Sequence, residues 1–140
     1  MYINFIFIKM KKILLLLTLL CIFFTSHAQV IQFRSEAYSQ RTLTSYGWSD
    51  WSNWTKCNVS ISINLNNDQV TVYSQKTQRY QIYDYTGSYT SGNTSCMDYK
   101  FYDQDGDVGT MTLAMKPNGQ SEIYIRFANI QWSYIVRRTN

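Results

Sequence analysis

The sequence predicts an all-β protein, a small antiparallel up-and-down barrel of about eight strands, with a two-sheet β-sandwich as the alternative. Three observations predict it. From Val30 onward apolar residues recur at every second position, the period of a strand with one buried face. Short turn signals, "NND", "QDGD" and "PNG", separate the runs, and the single proline, Pro117, falls in one of them. No stretch of that region carries a convincing helical period.

Taken in order, "VIQFRSEAYS" (Val30 to Ser39) reads as the leading strand. From Cys57 the alternation is plain, with Val59, Ile61, Ile63 and Leu65 on one side and Asn58, Ser60, Ser62 and Asn64 on the other. "QVTVYS" resumes after the turn with Val70 and Val72 inward, making a hairpin. "QRYQIYDY" (Gln78 to Tyr85) is followed by the Gly- and Ser-rich segment Thr86 to Ser95, read as a loop. "CMDYKFYD" (Cys96 to Asp103), "VGTMTLAMK", "SEIYIRF" and "IQWSYIVRR" complete the set, with Met111, Leu113, Ile123, Ile125, Trp132 and Tyr134 inward. A chain of this length made of so many strands must close on itself or split into two packed sheets, and closure removes the exposed edges. An outer-membrane barrel would invert the pattern, apolar side to lipid, and these short runs suit it less well.

Residues 1–28 read as a secretory signal peptide: Lys9, Lys11 and Lys12, the apolar run "ILLLLTLLCIFF", then a small-residue site ending at Ala28. The run is shorter than the roughly 20 residues that cross a bilayer as a helix, so the mature chain is expected to have no transmembrane segment. Leu20 before Cys21 does not suit a lipoprotein signal. Residues 29–140 are then one all-β domain, expected to be periplasmic or secreted.

Charge and histidine content exclude several classes of function. Three of the 13 Lys and Arg lie in the leader, which leaves the mature chain near balance against nine acidic residues. That gives no footprint for nucleic acid. The only histidine, His27, is also in the leader, which excludes Ser-His-Asp and Cys-His nucleophiles and His-ligated zinc. Asp84 and Asp98 are the carboxylates a glycosidase pair would draw on, yet nothing marks them as paired. The expectation is a protein that is not an enzyme and needs no cofactor.

Cys57 and Cys96 survive cleavage and are expected to form a disulfide, as an even pair in a small exported domain. Closing a loop of about 40 residues would contribute about 2–4 kcal/mol. Asp103, Asp105 and Asp107 in "DQDGD" suit a hairpin turn, with a weak calcium site as the alternative.

The candidate ligand-binding residues are aromatic. "WSDWSNWTKC" sets Trp48, Trp51 and Trp54 three apart, each followed by Ser or Thr. Such a row is a stacking platform for a sugar or another planar ligand, or else a plug for the barrel. Tyr83, Tyr85 and Tyr89 sit among Ser, Gly and Asn, the mixture of adaptable recognition loops. The stretch Trp48 to Cys57 resembles the opening of a thrombospondin type 1 repeat, whose W-x-x-W-x-x-W ladder stacks on arginines and runs into a cysteine. The resemblance ends there, because that family continues with a multi-disulfide framework and a layered arginine strand, whereas here a long alternating strand comes next. As a whole the chain resembles small exported bacterial β-proteins of lipocalin-like size, which implies a carrier of a small ligand. Two functions are thus expected: a binding module for a glycan or small apolar ligand, or a structural or protein-interaction component of the cell envelope.

Overall fold

A computed structural model describes residues 29–140 of the chain; the leader, with its cleavage site near Ala28, lies outside the described residues. Among the described residues there are nine strands and no helix: β1 (Val30–Thr44), β2 (Gly47–Trp48), β3 (Thr55–Asn64), β4 (Gln69–Tyr73), β5 (Gln78–Ser91), β6 (Thr94–Asp103), β7 (Val108–Met115), β8 (Gln120–Arg126) and β9 (Ile130–Arg138). β1 and β3 to β9 pair in chain order, all antiparallel, and β9 pairs back onto β1. The result is a closed eight-stranded barrel, with β2 as an extra strand hydrogen-bonded to the far end of β1. It is the barrel, not the sandwich, that forms.

The period-two pattern decides which face points in. Phe33, Ile61, Ile63, Val70, Val72, Phe101, Met111, Leu113, Ile123, Ile125 and Val136 share one continuous core. An eight-stranded barrel is just wide enough for its own side chains, and these fill it. Outward positions of β3 and β7 carry Asn58, Ser60, Ser62, Thr110 and Thr112. This is the reverse of an outer-membrane barrel, whose outward band is apolar. No helix among the described residues is long and apolar enough to cross a membrane.

A bulge in β1 sets the facing of the second half of that strand. The pairing of β1 with both β3 and β9 shifts between Ser35 and Ala37: against β9 Glu36 is an extra residue, whereas β3 spends three residues, from Val59 to Lys56, on the same two of β1. Glu36 points to solvent and accepts a hydrogen bond from Arg137 Nε at 2.5 Å. Ser35, fully buried, precedes the bulge, and Tyr38 packs against the core beyond it, its ring 6.4 Å from that of Tyr134. Two inward residues three apart require such a slip, since in a regular strand they would face opposite sides. Its consequence is that Ser39 and Arg41 face outward.

Strand lengths differ from expectation in two places. β1 runs to Thr44 rather than Ser39 because β9 and β2 give its second half partners. The segment Thr86–Ser95, expected to be a loop, is the extended end of the β5–β6 hairpin, turning only at Gly92 and Asn93. An irregularity in the ladder, between Tyr85 and Gly87, falls at its start. Gly87 has φ +141°, a conformation that favours glycine.

Candidate functional site

The tryptophan segment is a staircase laid against β1. Ser49 N–H donates to the Thr42 carbonyl (2.9 Å), and Ser49 Oγ accepts from the Thr42 N–H (3.1 Å). Ser52 repeats the arrangement on Gln40, with 2.8 Å for its N–H and 3.0 Å for its Oγ. Thr55, at the start of β3, then pairs with Tyr38. Each serine hydroxyl thus replaces the carbonyl that a regular antiparallel partner would supply, and three residues of the segment are spent on every two of β1. This explains the Trp-Ser-x repeat, because the polar residue holds the strand while the tryptophan before it is turned outward.

The indoles are exposed: Trp48 by 38%, Trp51 by 39% and Trp54 by 51%. They do not fill the barrel, whose open end is closed by Tyr80, Phe101, Phe127 and Trp132 in mutual aromatic contact. The Arg41 guanidinium lies over the rings of both Trp48 and Trp51, 5.3 and 4.8 Å from their centroids, and its Nε donates to Gln131. Two residues of β1 advance about 6.7 Å, a pitch that leaves room for one flat group between successive rungs. Arg41 fills the first such slot. At the next outward position β1 carries Ser39, too short to fill the second, and a cleft of about 240 Å³ opens there, lined by Ser39, Trp51, Ser52, Trp54, Glu122, Tyr124 and Ser133.

The floor and far wall of the cleft come from β8 and β9. Tyr124, Ser133 and Ser39 are successive partners across the strands. Tyr124 is backed by Arg126, 5.1 Å from its ring, and Arg126 in turn donates to Thr112 and Thr112 to Asp98. The Tyr124 hydroxyl donates to Glu122 Oε2, while Lys116 Nζ lies 3.2 Å from Glu122 Oε1. Burial first, then the Glu122 carboxylate, pushes the Tyr124 pKa up to about 12, so the phenol remains a neutral donor. Ser39 Oγ donates to the Ser52 carbonyl at 2.6 Å, which closes the floor beneath Trp51.

The other expected site residues lie elsewhere. Trp48 does not line the cleft; it stands behind Arg41 and stiffens the row. Tyr83 and Tyr85 line a separate cleft with Leu65, Asp68, Ile82, Asp84 and Tyr99. Tyr89 is half exposed, opposite Cys96 in the hairpin. Glu122, Tyr124 and Ser133, which complete the cleft, were not singled out by the sequence, because only barrel closure brings β8 and β9 beside β1. A larger cleft, about 530 Å³, lies at the barrel mouth over Phe127 and Trp132. There Trp132 N–H is already bonded to Gln40 Oε1 and its ring packs edge-on against Phe127.

The expected disulfide is not formed: Cys57 and Cys96 are both free thiols. β4 and β5 stand between their strands. Three strand spacings of about 4.8 Å carry the two residues well beyond the roughly 7 Å that a bridge can span. Cys57 Sγ instead lies 3.2 Å from Ser35 Oγ, and Cys96 is buried on the outer face in register with Ala114. A reductant is therefore expected to leave the thermal midpoint unchanged, whereas breaking a bridge across that loop would cost about 2–4 kcal/mol. Parallel melts with and without dithiothreitol check this.

Asp103, Asp105 and Asp107 form the turn between β6 and β7. Asp103 Oδ1 accepts the backbone N–H groups of Asp105 and Asp107, each at 2.9 Å, and Gly106 takes φ +86°. One carboxylate is thus committed to shaping the hairpin. Among the described residues no three Asp, Glu, Cys or His side chains converge to hold a metal ion.

Ser52 is the keystone of the staircase. Ser52→Ala would leave the Gln40 N–H without its acceptor, at a cost of about 1 kcal/mol. The expected result is faster amide exchange at Gln40 with the exchange of the core strands unchanged, read by hydrogen–deuterium exchange.

No protein-family model, curated protein or solved structure matches the chain.

Proposed function

We propose that this protein is an exported, non-enzymatic binding module that holds a glycan in the slot between Trp51 and Trp54. The observation that carries the reading is the unfilled slot itself, two exposed indoles walling a cleft whose floor is polar. A sugar ring suits it, offering a C–H face to an indole and hydroxyls to Glu122, Tyr124 and Ser133. A purely apolar ligand would cover the remaining lone pairs of Glu122 without supplying a donor. Export is supported by the leader-like residues 1–28, and a non-catalytic role by the absence of histidine from residues 29–140.

Titration of the protein with oligosaccharides, followed by tryptophan fluorescence in the presence of an aqueous quencher, tests the reading. Bound glycan is expected to shield part of the emission. Emission protected before any ligand is added, or unaltered by a broad glycan panel, would refute it.

One observation favours the second reading, a protein-interaction component of the envelope. Among the described residues, β4 pairs with β5 only as far as Gln81, and no strand covers that side of Tyr83–Ser91. Tyr83, Tyr85 and Tyr89 stand half exposed along this edge. Binding of an envelope protein that survives loss of Trp51 and Trp54 but not Tyr85→Ser would move the function there.

A further inference from the structure

The cleft makes a choice among glycans, and this inference rests on the glycan reading of the slot. Its polar groups are unevenly spent. The Tyr124 hydroxyl gives its single proton to Glu122 Oε2, so toward a ligand it can only accept. Ser39 Oγ gives its proton to the Ser52 carbonyl. The Glu122 carboxylate holds one donor on each oxygen, Lys116 and Tyr124, and keeps further lone pairs on both. Its side chain is 20% exposed, which leaves it reachable. What the cleft offers is therefore a set of acceptors grouped about the Glu122–Lys116 ion pair.

Ser133 is the exception. It lines the cleft, is 3% exposed, and among the described residues its Oγ makes no hydrogen bond of good geometry, its one polar influence being on the cross-strand phenol of Tyr124. A buried hydroxyl so weakly bonded is uncommon, and it is free to turn toward a ligand group. The cations around the cleft are all engaged: Arg41 is held between Trp48 and Trp51 and bonded to Gln131, Arg126 is bonded to Thr112, and Lys116 is paired with Glu122.

We infer that the slot selects a neutral, hydroxyl-bearing pyranose, one ring seated between Trp51 and Trp54 with hydroxyls donating to Glu122 and meeting Ser133, and that it rejects sugars carrying a carboxylate. A uronic acid has at C6 no hydrogen to give Glu122, and its carboxylate would compete with Glu122 for Lys116. Discrimination then comes from an acceptor brought against acceptors and from a second carboxylate placed beside an existing ion pair.

The test compares neutral hexose oligosaccharides with their counterparts oxidised at C6 to uronic acids, by calorimetry on the purified protein. Neutral ligands are expected to bind at least about tenfold more tightly than their oxidised partners, and Glu122→Gln to narrow that ratio. Ser39→Arg, which places a guanidinium in the empty slot as Arg41 does in the neighbouring one, is expected to abolish binding of both; Trp54→Ala, on the exposed side, provides the same readout should the buried substitution unfold the protein. Oxidised ligands bound as tightly as neutral ones, with binding still lost in Trp54→Ala, would overturn the selectivity and leave the glycan reading standing. Failure of the wild type to bind any member of either series would overturn both.

Discussion

Replacing Trp51 and Trp54 together by alanine is expected to weaken glycan binding by at least about 2 kcal/mol, some thirtyfold in Kd, with little loss of fold. The binding cost arises because the two rings are the walls of the slot; without them the floor residues face open water. The folding cost is small because both indoles are already more than a third exposed and their serine neighbours, not the rings, hold the segment to β1. Losing the contact of Trp51 with Arg41 removes about 0.5–1 kcal/mol. Calorimetric titration paired with thermal melts separates the two quantities. Binding undiminished in a folded double variant would remove the slot from consideration.

The largest effect on stability is expected from a single methyl group. Gly109→Ala would place a Cβ 2.7 Å from the Arg126 carbonyl oxygen and 2.7 Å from Phe101 Cζ. Neither neighbour yields easily. The carbonyl belongs to the strand beside β7, and the Phe101 ring is fully buried against Tyr80 and Phe127. A glycine on the inner face of β7 is what allows that ring to lie flat against the wall. Overpacking of this kind costs about 1–3 kcal/mol, and the backbone contact places Gly109→Ala at the upper end, a fall of roughly 10 °C in thermal midpoint. A double-mutant cycle with Phe101→Leu is expected to show coupling, since the smaller side chain relieves one of the two clashes. Independent effects would mean that the ring does not rest on the glycine.

The fold was legible in the sequence to the extent that burial is read from alternation. Ile61, Ile63, Val70, Val72, Met111, Leu113, Ile123 and Ile125 all lie where period two puts them. Closure could be inferred from the lack of anything else to cover the edges. What alternation misses is a slip in the count. The bulge at Glu36 turns Tyr38 inward and Ser39 outward, and nothing local in "RSEAYS" announces it. The hairpin end at Thr86–Ser95 was hidden for a related reason, since Gly and Ser reduce the propensity signal while the backbone ladder continues through them.

For the site, the aromatic half was visible and the polar half was not. Trp48, Trp51 and Trp54 stand out as a spaced row, and the Ser or Thr after each is the residue that holds it. Their alignment with Arg41 depends on a pairing ratio that strand periodicity does not contain. The ladder of indoles on arginine, which the resemblance to thrombospondin repeats suggested, is present as a single rung formed by Arg41. Glu122, Tyr124 and Ser133 come from strands far along the chain, and their role depends on closure. The cysteines show the converse. Their even number suggested a bond that strand order forbids.

The staircase also acts as a vernier, one scale of three divisions read against another of two. A single inserted residue between Ser49 and Thr55 would turn the next ring toward the barrel and carry its serine off the mark. Three residues inserted there, with two added to β1, would restore every coincidence and set one more indole on the row. Length variation in this part of the molecule is therefore quantised, and the residue that β1 contributes at each new mark, long and cationic or short and polar, determines whether the step is closed or open.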